Sequence, residues 1–136
     1  MDGGADADVL QLSTGKHTFA DNDKLKNIET IKTASGGSEV ILSAQEEALT
    51  ITGDAGNDII TGGKGIDTIS AGDGTDTITG GAGNDIITGG AGVDTFKVDK
   101  DTDTIQDLGG ASGGEADVLI VSKDAKAEAR VSVSFT

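Results

Sequence analysis

Five aspartates recur nine residues apart: Asp58, Asp67, Asp76, Asp85 and Asp94. Each stands two residues after a glycine (Gly56, Gly65, Gly74, Gly83, Gly92) and two before a large apolar residue (Ile60, Ile69, Ile78, Ile87, Phe96). Written in nines, residues 53–97 read GDAGNDIIT, GGKGIDTIS, AGDGTDTIT, GGAGNDIIT and GGAGVDTFK. Asp, Asn and Gly are ordinary turn residues, so one such segment would mean little. A solenoid that binds nothing does not need an acid at the same turn position five times. Carboxylates and turn carbonyls repeated in this way can hold hard cations. Ca²⁺ suits them, because it accepts six to eight oxygen ligands in loose geometry. Zn²⁺ would call for His or Cys; the chain has no Cys, and its one histidine, His17, lies outside the repeats.

The elements that must position these acids follow from the period. Positions 1, 2 and 4 of each nine favour glycine and form a tight turn that presents carbonyls. Positions 7–9 are β-favouring and alternate about one inward apolar residue. A strand of about three residues buries nothing alone, so successive repeats must stack. Two repeats make one coil of 18 residues, with strands facing each other and a turn on either side. Asp58, Asp76 and Asp94 then line one edge, and Asp67 and Asp85 the other. Stacked strands lie ~4.7–4.9 Å apart, and carboxylates at roughly that spacing repel by about 3 kcal/mol per pair at an effective dielectric near 20. A cation between the turns removes that cost. Asn57 and Asn84 read as supports of the turn, and Ile59 and Ile86 at position 7 are expected to face outward.

The pattern resembles the G-G-x-G-x-D-x-U-x repeat of the RTX (repeats-in-toxin) family, whose parallel β-roll binds Ca²⁺. The resemblance implies an all-β, parallel β-roll solenoid with an ion between turns one coil apart. The earlier turn would give carbonyls from positions 2 and 4 and its Asp; the later turn would give positions 1 and 3 and its Asp. Carried over, one site takes Asp54, Gly56 and Asp58 with Ala71, Asp73 and Asp76. A second takes Gly63, Gly65 and Asp67 with Gly80, Ala82 and Asp85. A third takes Gly72, Gly74 and Asp76 with Gly89, Ala91 and Asp94. Three Ca²⁺ sites are thus implied. The next frame, residues 98–106, keeps Asp103 and Ile105 but no glycine. It leaves open a fourth site, from Gly81, Gly83 and Asp85 with the Val98 and Lys100 carbonyls and Asp103.

Around residues 53–97 the chain divides into a strand-bearing flank over 1–35, metal-free capping coils over 36–52, and a C-terminal β cap and tail over 98–136. In the nine-residue frame Leu42 and Ile51 fall at position 8, with Val40 and Leu49 where the acid would be. Leu25–Ile31 alternates polar and apolar residues and predicts a strand, with a helix as the alternative. Downstream, residues 94–98, 103–108 and 116–121 resemble the three-strand cap of RTX rolls, with Phe96 plugging the end. Ala7–Ser13 parallels Ala116–Ser122 at an offset of 109 residues, as expected of a slice from a longer repetitive protein. The D-x-L-x-L strand from Asp8 and the segment Leu25–Ile31 resemble β-solenoid portions of bacterial S-layer and adhesin proteins. The last residues, 129–136, read as a strand cut short or a C-terminal type I secretion signal.

The 136 residues carry 24 acids against 10 bases, a formal charge of −14. That excludes a nucleic-acid partner, which needs a basic face, and disfavours an anionic membrane surface. The longest aliphatic run, Val118–Val121, is far too short to span a bilayer. No N-terminal signal peptide is evident. With no Cys and a lone His17 lacking an evident partner, the chain does not read as an enzyme. The expected role is a calcium-binding module of a secreted bacterial surface protein (S-layer or adhesin), folding on Ca²⁺ outside the cell and placed beside like modules or in lateral self-assembly. The alternative is the secretion and folding domain of an RTX toxin or hydrolase whose catalytic domain lies elsewhere.

Overall fold

The computed structural model describes residues 1–21, 25–99, 101–108 and 116–129. Among them run thirteen short strands and no helix. The strands are β1 (Val9–Gln11), β2 (Gly15–Thr18), β3 (Thr30–Lys32), β4 (Ser38–Ile41), β5 (Thr50–Thr52), β6 (Ile59–Thr61), β7 (Thr68–Asp73), β8 (Thr77–Thr79), β9 (Ile86–Ala91), β10 (Thr95–Val98), β11 (Thr102–Ile105), β12 (Val118–Val121) and β13 (Lys126–Ala129). The odd strands form one sheet in the order β1-β3-β5-β7-β9-β11-β13, and the even strands the other, β12-β10-β8-β6-β4-β2. Every ladder pairing is parallel, so the chain winds from one sheet to the other and back in each coil, as the repeat predicts.

Within the repeats the register is the sequence period. Ile51 pairs with Ile69 and Ile69 with Ile87 in one sheet, and Ile60 with Ile78 and Ile78 with Phe96 in the other. These position-8 side chains, at most 1% exposed, meet between the sheets to make the core. Alternation leaves their neighbours outside, and Ile59 and Ile86 are 47% and 37% exposed. Outward threonines fill most of the remaining positions, including Thr50, Thr68, Thr77 and Thr95.

The flanks belong to the same two sheets, but off the nine-residue frame. Val40, not Leu42, pairs with Ile60. The frame drawn through Leu42 is displaced by two residues, because the connection between β4 and β5 is longer than a repeat turn and carries its own buried Leu42 and Gln45. Ile51 and Leu49 do fall where the frame puts them, with Leu49 opposite Asp67. The expected strand over Leu25–Ile31 contributes only Thr30 and Ile31 to β3; Leu25 and Ile28 are buried from the preceding loop. Phe96 does not plug an open end, because β12 stacks beyond it and places Leu119 against it in register. The 109-residue recurrence falls on opposite sheets, with β1 in the odd sheet and β12 in the even one. Lys100 and residues 130–136, which bear on the fourth-site and tail expectations, lie outside the described residues.

Candidate metal centre

Asp58, Asp67, Asp76, Asp85 and Asp94 each sit directly before a strand, and Asp103 is the second residue of β11. Asp58, Asp67, Asp76, Asp85, Asp94 and Asp103 are all at most 1% exposed. Their burial follows from the stacking, because one carboxylate oxygen reaches the preceding coil. Asp76 Oδ1 accepts from the Asp58 amide at 2.7 Å, Asp85 Oδ1 from Asp67 at 2.8 Å, and Asp94 Oδ1 from Asp76 at 2.9 Å. Asp103 Oδ1 accepts from the Asp85 amide at 3.0 Å. The result is two carboxylate ladders, one along each edge of the roll, as expected from the 18-residue coil.

The second oxygen of each acid is the anomaly. Oδ2 of Asp58, Asp76, Asp85, Asp94 and Asp103 is buried with no hydrogen-bond partner, whereas Asp67 Oδ2 accepts from the Gly63 amide at 2.7 Å. A buried oxygen that has lost water and gained no donor is costly. The electrostatics record the same cost: burial pushes Asp85 up to about 7 and Asp76 and Asp103 up to about 6, with neighbouring acids adding to it. Burial likewise raises Asp58, Asp67 and Asp94 above the ordinary carboxylate value. Each carboxylate thus lacks a positive partner.

Turn carbonyls surround these oxygens. A methyl group built on Gly53 would collide with the Ala71 carbonyl and lie 2.8 Å from Asp58 Oδ2. On Gly62 it would collide with the Gly80 carbonyl and lie 2.7 Å from Asp67 Oδ2. The Asp58–Ala71 and Asp67–Gly80 members of the first and second sequence-derived sites therefore border the same small spaces. Turns one coil apart lie close throughout: the carbonyls of Asp54, Gly56, Gly63, Gly65, Gly72 and Gly74 abut Gly72, Gly74, Gly81, Gly83, Gly90 and Gly92 respectively. Some of these carbonyls already accept a turn-to-turn hydrogen bond, such as Asp54 from the Asp73 amide at 3.1 Å and Gly63 from the Ala82 amide at 3.0 Å. A second lone pair remains on each. Among the described residues no three acidic or histidine side chains converge, so an ion here would draw most of its ligands from the backbone.

Asn57 and Asn84 act on the turns, accepting from the amides of Thr75 at 3.0 Å and Thr102 at 3.1 Å. The ladders also run past the repeats. Asp117 Oδ1 accepts from the Asp94 amide at 2.9 Å, and Glu29 Oε2 from the Asp8 amide at 2.7 Å. Sequence reasoning gave neither of these a place in a ladder, since their offsets of 23 and 21 residues break the period. An acid placed directly before a β-favouring run, seen in Asp8-Val9, Glu29-Thr30 and Asp117-Val118, was the available signal.

Residues 50–69 and 70–105 match a family model described as RTX calcium-binding nonapeptide repeat (4 copies). Comparison with curated proteins and with solved structures gives no match. The match reaches Ile105, one coil strand beyond the fifth glycine-bearing repeat, and so takes in Asp103. Repeats of this kind bind Ca²⁺ and occur in secreted bacterial proteins. With the orphaned ladder oxygens and the parallel two-sheet winding, the match identifies residues 50–105 as RTX calcium-binding nonapeptide repeats wound into a β-roll.

Proposed function

We propose that this chain is a calcium-triggered folding module of a secreted bacterial surface protein, structural in role, as in an S-layer or adhesin. The observation that carries the reading is the set of buried ladder oxygens without a donor. Asp58 and Asp76 would hold one ion with the carbonyls of Asp54, Gly56, Ala71 and Asp73. Asp67 and Asp85 would hold a second with Gly63, Gly65, Gly80 and Ala82. Asp76 and Asp94 would hold a third with Gly72, Gly74, Gly89 and Ala91. Asp103 repeats the ladder geometry of the other acids and supports a fourth ion, shared with Asp85, Gly81 and Gly83.

A bound Ca²⁺ would supply the positive charge, and the partner that every ladder Oδ2 except that of Asp67 lacks. The chain's own residues do the rest. Ladder hydrogen bonds fix each carboxylate, and glycine turns bring the carbonyls close. Between Gly53 and Lys97 there are seven acids and two lysines, so three ions would carry that segment from a net −5 to about +1. Extracellular modules bind Ca²⁺ with Kd of roughly 10⁻⁴–10⁻³ M. Cytosolic calcium would leave such sites empty and the repeats open, and extracellular calcium would close them. Ion at 100 times Kd adds about 2.7 kcal/mol per independent site. No helix among the described residues is long and apolar enough to cross a membrane.

The test is a far-UV circular dichroism titration with Ca²⁺, using Mg²⁺ as control. A cooperative gain of β signal with Ca²⁺ alone supports the reading. A spectrum indifferent to Ca²⁺ would sink it. Whether the module serves a surface layer or the folding of an RTX toxin or hydrolase is decided by its neighbours: further copies of this roll favour the first, a catalytic domain the second.

A further inference from the structure

One turn outside the matched segment is built like the repeats. Thr33–Ser38 lies directly beneath Gly53–Asp58: the Thr33 amide donates to the Thr52 carbonyl at 3.0 Å, Gly36 to Ala55 at 2.6 Å, and Ser38 to Asp58 Oδ1 at 2.6 Å. Gly36 and Gly56 share the same backbone conformation, with φ of 116° and 118°. Val40 pairs with Ile60. Residues 33–41, T-A-S-G-G-S-E-V-I, are therefore a nonapeptide with glycine at position 4, an inward aliphatic at position 8 and serine in the place of the acid.

The side chains in this turn are unpartnered in the way the ladder acids are. Ser38 is 5% exposed and Thr33 3%, and neither hydroxyl has a hydrogen-bond partner. Asp58 Oδ2, directly above Ser38 in the ladder, has none either. Position 1 differs as well: it is Thr33 here, against Gly53, Gly62, Ala71, Gly80 and Gly89 in the repeats. This turn thus carries two buried, unpartnered hydroxyls where a repeat carries one carboxylate.

We propose a further Ca²⁺ site between the turns 33–38 and 53–58, bounded by the hydroxyls of Ser38 and Thr33, the Asp58 carboxylate, and the carbonyls of Ala34, Gly36 and Gly53. All are hard oxygens, which suits Ca²⁺. With one carboxylate instead of two, the site is weaker than those inside the repeats and fills last, since ligand charge sets affinity in such sites. Its place matters: it ties the calcium-bound repeats to the N-terminal coils. Residues 36–52, expected from their sequence to be free of metal, would then border an ion.

The inference rests on the ladder acids holding Ca²⁺, and the experiment separates the two. Calorimetric Ca²⁺ titration of the full chain is compared with Ser38→Ala and with the double variant Thr33→Gly, Ser38→Asp, folding being checked by circular dichroism in Ca²⁺. The alanine variant is expected to lose one weakly bound Ca²⁺ per chain and keep the tight ones. The double variant is expected to move one ion from the weak class into the tight class. Tight binding in all three proteins with the same stoichiometry and the same weak step overturns the site, leaving two hydroxyls around buried water. A wild-type chain that binds no Ca²⁺ overturns the proposed function along with it.

Discussion

Replacing Asp85 with asparagine should stabilise the calcium-free roll and destabilise the calcium-loaded one. Asparagine keeps the shape. Its Oδ1 can still accept from the Asp67 amide, now 2.8 Å from Asp85 Oδ1, and its Nδ2 replaces the oxygen that has no donor. What changes is the charge. Burial raises Asp85 from 3.8 to about 7, roughly three units at about 1.4 kcal/mol each, or about 4 kcal/mol. The carboxylate lies only one turn from water, so screening should leave about half of that, about 2 kcal/mol.

The sign follows from linkage. A carboxyl whose folded value lies above its unfolded value favours the fold as the neutral acid. That contribution is complete below the unfolded value near 4 and disappears as pH rises through the folded value near 7. The calcium-free wild type should therefore weaken across that window, and the asparagine variant should weaken less. In saturating Ca²⁺ the order reverses, because the ion needs the ionised carboxylate that asparagine cannot supply. The assay is a set of urea and osmolyte curves by far-UV circular dichroism, in chelator and in Ca²⁺, at about pH 8 and about pH 5. An ordinary loss of packing would weaken the variant under all four conditions alike, and that result would refute the reasoning.

Asp76 is placed in two sites, so Asp76→Ala should lose two ions per chain and Asp103→Ala at most one; equal losses by calorimetry would overturn the shared assignment. Phe96 is fully buried and in register with Ile78 and Leu119. In Ca²⁺, Phe96→Ala should cost about 3–5 kcal/mol in urea unfolding, and a loss below about 1 kcal/mol would mean that the last coils are not packed on the rest. In chelator at neutral pH, hydrogen exchange should leave amides of β3, β4 and β5 better protected than those of β7 to β10; equal exchange along the chain would show that calcium orders both parts together.

Where the fold was legible in the sequence, one physical constraint explains it. Stacked strands must superpose, and a period of nine leaves Gly56, Asp58 and Ile60 recognisable in each later copy. Both edges of the ladder could therefore be drawn from spacing alone. Legibility ended where the turns change length. Two extra residues between β4 and β5 put Leu42 in the wrong frame and hid Thr33–Ile41, although its glycine and its inward valine occupy repeat positions. Longer connections likewise obscured Asp117 and Glu29 as ladder members. Phe96 was misplaced for a different reason: a large aromatic at the end of a glycine pattern looks like a plug, and only the pairing of β10 with β12 shows that the stack continues. The division of labour between the two carboxylate oxygens has no sequence signature, because it depends on which amide the next coil presents.

That division links the fold to its ion. Oδ1 of each repeat acid is engaged by the coil before it, so stacking itself draws the carboxylate out of water. Oδ2 of every repeat acid except Asp67 is left without a donor by the same step. In the repeats, then, adding one nonapeptide brings a buried charge along with one large core side chain, and the charge must be neutralised for the repeat to stay. The N-terminal coils meet this conflict less often: Asp8 Oδ2 is buried without a hydrogen-bond partner, but no carboxylate stacks beneath Asp58 or Asp67. Their ladder positions opposite Asp58 and Asp67 are Ser38 and Leu49, and their core draws on loops as well as strands, with Leu12, Leu25, Ile28, Ile31, Val40, Leu42, Leu49 and Ile51 all buried. Apolar burial of that kind needs no ion. On the proposed function the roll would differ in energy along its length: a start held by hydrocarbon, which can template the first repeat strand through β4 and β5, and a continuation that calcium ions would permit one repeat at a time.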